Sequence, residues 1–250
     1  MPYISLRSAC VDYPVPMTRT ASSSTPRVGG HFFERDGRRF VRAMDGVDLQ
    51  LRKGTRLGLL GGNGSGKSTL LRTLAGILPL SRGGRTIDGT VTTVFNLNVG
   101  VELDRTGAEN IDRLAALHNI PRQQIPALME EVAEFSELGD FLFLPMKNYS
   151  AGMRARLVFA VTTNLNANII LMDENIGVGD KTFQDKARKR VERFLAQDGI
   201  AVVASHANSV LRNLCTTGLV MQSGRVAFHG EIDQAIAVYG EMQNGVAQGS

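Results

Sequence analysis

The sequence predicts an α/β fold in which strands alternate with helices and a block of helices is inserted part-way along the chain. Three observations predict it. The apolar run Leu57-Gly58-Leu59-Leu60 leads into a glycine-rich stretch, and Leu70, Leu71 and Leu74 follow at helical spacing, a strand–loop–helix order. Short apolar runs return at Ile169-Ile170-Leu171-Met172 and at Ile200-Ala201-Val202-Val203-Ala204, with a helical stretch between them. From residue 108 to residue 138 the period changes, and Ile111, Leu114, Leu117, then Ile125, Leu128, Val132 and Phe135 recur as they do on one face of a helix.

In chain order, residues 3–12 read as a strand. Residues 14–37 are rich in Pro, Ser, Thr, Gly and Arg and read as a long loop. Residues 40–51 alternate apolar and polar positions and close at the turn Arg52-Lys53-Gly54. The helix after the glycine-rich stretch ends near Gly76, and Gly83-Gly84 with Asp88-Gly89 bracket a hairpin-like region. Residues 107–164 read as a helical subdomain. A hairpin over residues 219–229, turning at Ser223-Gly224, and a short helix finish the chain, with residues 240–250 as a tail. The whole reads as one domain over residues 1–250.

Among the 250 residues, 28 Lys+Arg against 24 Asp+Glu leave a net charge of only +4, with no block of like charge, so nucleic-acid binding is not expected. Cys10 and Cys215 show neither a metal-ligand spacing nor a disulfide framework, which suits a reducing compartment. No apolar run approaches the roughly 20 residues needed to span a bilayer. Any membrane-embedded part of a working assembly is therefore expected on another chain.

The stretch Gly61-Gly62-Asn63-Gly64-Ser65-Gly66-Lys67-Ser68-Thr69 fits G-x-x-x-x-G-K-[ST], a phosphate-cradling loop. Glycines let backbone N–H groups crowd round a polyphosphate, and the helix N-terminus adds its partial positive charge. Lys67 would pair with the β- and γ-phosphates of a nucleoside triphosphate, and the Ser68 hydroxyl would enter a Mg²⁺ shell. Asp173 closes an apolar strand and is the expected second Mg²⁺ ligand, while Glu174 directly after it would polarise the attacking water as general base.

Further elements follow in a fixed order: Asn148-Tyr149-Ser150-Ala151-Gly152-Met153 before an apolar helix, the strand ending in Asp173-Glu174, then Gly177-Val178-Gly179-Asp180, then Ala204-Ser205-His206. With the phosphate loop they resemble the ATP-binding cassette (ABC) ATPases over residues 4 to about 239. The resemblance implies a P-loop NTPase cassette with an N-terminal antiparallel β-subdomain and a helical subdomain, and ATP hydrolysis. It implies that His206 senses the γ-phosphate, that Tyr13 stacks on adenine, and that Asp180 belongs to the D-loop. It implies that Ser150 and Gly152 act on ATP held by a second subunit, so that the working form is a homodimer. Ser150 also sits where a helix N-cap belongs, and Tyr13 suits a core position equally well.

Departures from the family pattern narrow the resemblance. The usual signature LSGGQ is here Tyr149-Ser150-Ala151-Gly152-Met153, and the usual glutamine before the helical subdomain is replaced, with Asn96 the first candidate for its position and Asn98 the second. These features, with Thr106-Gly107-Ala108-Glu109-Asn110-Ile111, are similar to the ATPase subunits of bacterial polysaccharide exporters for O-antigen, capsule and teichoic acid. That branch implies a peripheral subunit at the cytoplasmic face of the inner membrane, a separate integral-membrane permease and a lipid-linked polysaccharide substrate. With residues 240–250 read as a short tail, the carbohydrate-binding domain that some members carry is not expected here. Alternatives are a drug-efflux or importer cassette, a soluble non-transport ABC ATPase and a nucleotide-gated regulator without turnover. Val99, Val101 and Leu103 would face the permease or pack into the core.

Overall fold

The computed structural model describes residues 1–15, 30–94, 101–164, 167–173, 181–195 and 199–247, which divide into two units, Met1–Gly89 with Asp198–Ser250, and Thr90–Gln197. The first unit begins with β1 (Tyr3–Pro14), β2 (His31–Arg35), β3 (Arg38–Arg52), β4 (Arg56–Leu60), α1 (Lys67–Leu74) and β5 (Arg82–Asp88). The second carries β6 (Val91–Thr93), α2 (Gly107–Leu117), α3 (Ile125–Ser136), α4 (Ala151–Thr162), β7 (Ile169–Met172) and α5 (Lys181–Leu195). The first unit then resumes with β8 (Ile200–Ala204), α6 (Asn208–Leu214), β9 (Thr217–Gln222), β10 (Arg225–Glu231) and α7 (Ile232–Ala247).

In the first unit an antiparallel sheet has the order β2-β3-β1-β5. Its alternating residues Ile4, Leu6, Met44, Val47, Leu49 and Leu51 are buried, as a half-covered sheet requires. Part of the stretch expected as loop is strand β2, because Phe33 stacks on Phe40 of β3 at 5.6 Å and residues 36 and 37 supply a two-residue turn, both at positive φ. The hairpin-like region expected near residues 83–89 does not form. There β5 runs along β1, while β6 pairs in parallel with β7, so Gly83 and Gly84 sit within a strand instead of at a turn.

The remaining strands of this unit run in the order β10-β9-β4-β8, with β4 parallel to both β8 and β9. Leu57, Leu59, Leu60 and all of β8 are buried, the near-continuous apolar runs of strands covered on both faces. Helix α7 packs on β9, β4 and β10. It can approach because β9 carries Gly218, where a Cβ would lie 2.4 Å from the Ala235 Cβ. Residues 240–247, expected as tail, continue α7.

In the second unit the periodic residues Ile111, Leu114, Leu128 and Val132 gather with Leu142, Met146, Tyr149, Leu157 and Val161 into one core. Leu117 alone of that series is exposed, at the last turn of α2. Helix α2 starts at a reciprocal cap: the Thr106 hydroxyl accepts the Glu109 N–H and the Glu109 carboxylate accepts the Thr106 N–H. Asn110, fully buried, ties the preceding segment to the helix by donating to the Glu102 and Thr106 carbonyls and accepting the Glu102 N–H. Phe135, Phe159 and Phe183 form an aromatic trio between α3, α4 and α5.

Candidate functional site

Strand β4 ends at Leu60 and the glycine-rich loop follows at the carboxyl edge of the parallel strands, where α/β sheets present ligand sites. Helix α1 begins at Lys67 behind Gly66, which holds φ at 107°. No side chain caps this helix and its first turn holds no acidic residue, so its orphan N–H groups are left for an anion. Lys67 is only 8% exposed, and its ammonium donates to the Gly61 carbonyl at 2.6 Å and the Gly62 carbonyl at 3.3 Å. That holds the charge inside the loop. Ser68 is exposed at the second position of the helix.

Two other expected residues sit near this edge. The β4–β8 register pairs Leu59 with Ala204, so Gly61 and the exposed His206 each lie two residues beyond a paired position. Tyr13 is half-buried near the end of β1 opposite Val41, two residues along β3 from Ala43, whose carbonyl lies against Gly66.

The loop is braced from behind. The Gly224 N–H donates to the Ser65 carbonyl at 2.9 Å, and the Asp45 N–H donates to the Gly224 carbonyl at 2.9 Å. Arg225 donates from Nε and a terminal nitrogen to the Asp45 carboxylate at 2.8 and 2.6 Å. Arg225 foremost, with Arg42 on the other side, holds the Asp45 carboxyl below the usual carboxylate range against the opposing effect of burial. A cavity of about 450 Å³ opens beside the loop, lined by Gly62, Asn63, Ser65, Ser223, Tyr239 and Gln243 among others.

The second unit carries the rest of the described set. Asp173 follows the fully buried strand β7 and is itself half-buried. Ser150 is the N-cap of α4, its hydroxyl accepting the Met153 N–H at 3.1 Å. At Gly152 a Cβ would meet only the Ser150 Oγ, at 3.7 Å, so nothing in its own chain requires glycine there. Glu174, Asp180, Asn96 and Asn98 lie outside the described residues. Among the described residues no cluster of three or more His, Cys, Asp or Glu could hold a metal. The donors the sequence offers to Mg²⁺, the Ser68 hydroxyl and the Asp173 carboxylate, are hard oxygens of the right kind.

The ABC transporter family model matches residues 44–177. This chain belongs to the ABC transporter family. The cassette is 44% identical over 186 residues to the O-antigen export system ATP-binding protein of Yersinia enterocolitica, covering 74% of this chain and 78% of that one. It is 34% identical over 224 residues to the teichoic acids export ATP-binding protein of Shouchella clausii, covering 89% of this chain but only 62% of the relative. Among solved structures, a dimeric ATP-binding cassette in a post-hydrolysis state with ADP and Pi superposes with a TM-score of 0.73 over 92% of this chain and 98% of that one, at 19% identity. That likeness is one of fold. The cassette is an ATP-hydrolysing member of its family.

Two features of the cassette escaped the sequence reading. Tyr149, in place of the usual signature leucine, is 3% exposed, and its hydroxyl donates to the Phe141 carbonyl at 2.6 Å. The signal was available: a tyrosine in an apolar slot needs a partner for its hydroxyl. The Asp45–Arg225 pair joins residues 180 apart, which no local pattern reports.

Proposed function

We propose that the cassette uses MgATP hydrolysis to drive export of a lipid-linked polysaccharide, of O-antigen, capsule or teichoic-acid type, through a separate integral-membrane permease at the cytoplasmic face of the inner membrane. The 44% identity to an O-antigen export ATP-binding protein carries this reading. Among the described residues no helix is long and apolar enough to cross a membrane, which accords with a permease on another chain.

In this reading the Lys67 ammonium and the first N–H groups of α1 hold the β- and γ-phosphates. Ser68 and Asp173 hold Mg²⁺, which when bound neutralises charge on the phosphate oxygens. Glu174 orients a water and takes its proton, and His206 donates to the γ-phosphate. Tyr13 stacks on the base. Ser150 and Gly152 serve the nucleotide of a second copy, and the open space at Gly152 supports that use. Asn96 occupies the position of the usual glutamine, and Asp180 that of the D-loop aspartate.

The permease contact falls on the second unit. Leu103, Phe141 and Phe143 are 47%, 50% and 71% exposed there, an unusual apolar display for segments between helices. Val101 packs against the helical core instead. Deleting the gene should remove one lipid-linked surface polysaccharide, and a Leu103→Asp/Phe143→Asp protein should fail to restore it while keeping its ATPase rate. If the deleted strain still displays every such polysaccharide, the exporter reading is wrong and an importer or efflux role takes its place.

A further inference from the structure

Within the first unit a chain of opposite charges ends on the turn that braces the phosphate loop. Asp12, its side chain 1% exposed, accepts from Arg42 at 2.9 and 3.4 Å. Arg42 reaches on to one oxygen of Asp45 at 3.3 Å, and Arg225 grips the other. We infer that Asp45 is a positioning residue for the phosphate loop, acting through Arg225 and the Ser223-Gly224 turn. The inference rests on the assignment of residues 61–69 as the phosphate site.

Asp45 holds two successive residues at once: its backbone N–H takes the Gly224 carbonyl, and its carboxylate takes the Arg225 guanidinium. The peptide between them is thereby fixed, and the Gly224 N–H on its other side fixes the Ser65 carbonyl. There is no slack in this stack. A Cβ on Gly224 would lie 2.8 Å from the Ala43 carbonyl oxygen, and one on Gly66 would lie 2.9 Å from that same oxygen. β3, the turn and the loop are therefore in backbone contact, and a displaced turn displaces the residues whose N–H groups face the phosphates. Arg42 fixes the orientation of the Asp45 carboxylate, and buried Asp12 fixes Arg42. An exposed ion pair by itself contributes little. This one acts because it locks the turn whose Gly224 N–H holds the loop's backbone at Ser65.

The test uses the full chain. Equilibrium binding of MgATP and of inorganic triphosphate, steady-state ATPase rates and thermal midpoints are measured for Arg225→Met, Arg225→Lys and Asp45→Asn. Arg225 is 73% exposed on its side chain, so its variants keep the fold. As a control, Arg212→Met breaks the Arg212–Asp233 pair of 2.8 Å, which no bond described above ties to the loop. Arg225→Met and Asp45→Asn should weaken both ligands by about three- to tenfold, with kcat within roughly twofold of wild type, the scale of one charge-assisted pair. Arg225→Lys should recover part of the loss, and Arg212→Met should bind as wild type. The inference is overturned if Arg225→Met and Asp45→Asn bind both ligands normally, if Arg212→Met weakens them equally, or if kcat falls while affinity holds. Lys67→Ala in the same assay separates the two levels. Normal binding by Lys67→Ala overturns the phosphate-site assignment itself, whereas weak binding by Lys67→Ala beside normal Arg225→Met overturns only the role of Asp45.

Discussion

The contact between Gly107 and Tyr149 makes a prediction whose size follows from the coordinates. Tyr149 is buried immediately before the Ser150 cap, and its hydroxyl donates to the Phe141 carbonyl at 2.6 Å. Tyr149→Phe removes that bond while the Phe141 carbonyl keeps the Leu144 N–H at 2.9 Å, a loss of about 0.5–1.5 kcal/mol. Gly107→Ala is a clash: its Cβ would lie 2.3 Å from the Tyr149 hydroxyl oxygen and 3.2 Å from the Leu142 carbonyl oxygen. An ordinary contact needs about 1 Å more than the first of these, and forcing such an atom into a packed core costs about 1–3 kcal/mol. In the double variant the hydroxyl that the new methyl strikes is already gone. The two losses should therefore overlap, with a coupling energy of about 1 kcal/mol or more in the direction of rescue. For a chain of this size, at about 2–4 °C per kcal/mol, Tyr149→Phe should lower the thermal midpoint by roughly 1–6 °C and Gly107→Ala by roughly 2–12 °C. The assay is calorimetry or denaturant unfolding of the four proteins under one set of conditions. Strictly additive losses would refute the contact. ATPase rates of Tyr149→Phe report whether the same bond also sets the placement of Ser150, which should show as a fall in turnover at unchanged nucleotide affinity.

Other expectations can be checked on the same preparations. The Asp45 carboxyl is held below its usual range mainly by the Arg225 hydrogen bond, so its stabilisation is complete above the ordinary aspartate value near ~4 and is lost as pH falls through the lower folded value. Asp45→Asn should thus melt below wild type at pH 7, and the gap should close on acidification; a gap that persists at low pH contradicts the pairing. Burial pushes the Cys215 thiol up to about 12, and Cys10 is buried as well. Neither should react with a thiol reagent at pH 8 until the protein is unfolded, and prompt labelling of Cys215 would place it at the surface.

The parts that were legible in the sequence are those whose cause is local. The strand–loop–helix order around residues 61–66 is legible because its glycines and the apolar residues on either side follow one another directly, and the loop lies between β4 and α1. The α4 cap is legible for the same reason, since the Ser150 hydroxyl accepts an N–H from its own first turn. Composition misled where tertiary pairing overrode it. β2 lies in a stretch rich in loop-forming residues and is held by stacking of Phe33 on Phe40, and β5 absorbs a glycine pair because β1 offers it an edge. Val101 and Leu103 are alike in the sequence, and only the packing of α2–α4 separates the partly buried one from the exposed one. The brace from Asp45 to Ser65 was illegible because every bond in it joins distant residues.

The account stands most directly on what Glu174→Gln does to an otherwise intact cassette. Purified wild-type and variant proteins are compared for MgATP affinity, hydrolysis rate and mass in the presence of ATP. The account predicts unchanged binding, hydrolysis slowed by roughly 10²–10⁴-fold, and an ATP-dependent dimer that Ser150→Arg abolishes. Turnover near the wild-type rate, or a variant that stays monomeric with ATP bound, would contradict it.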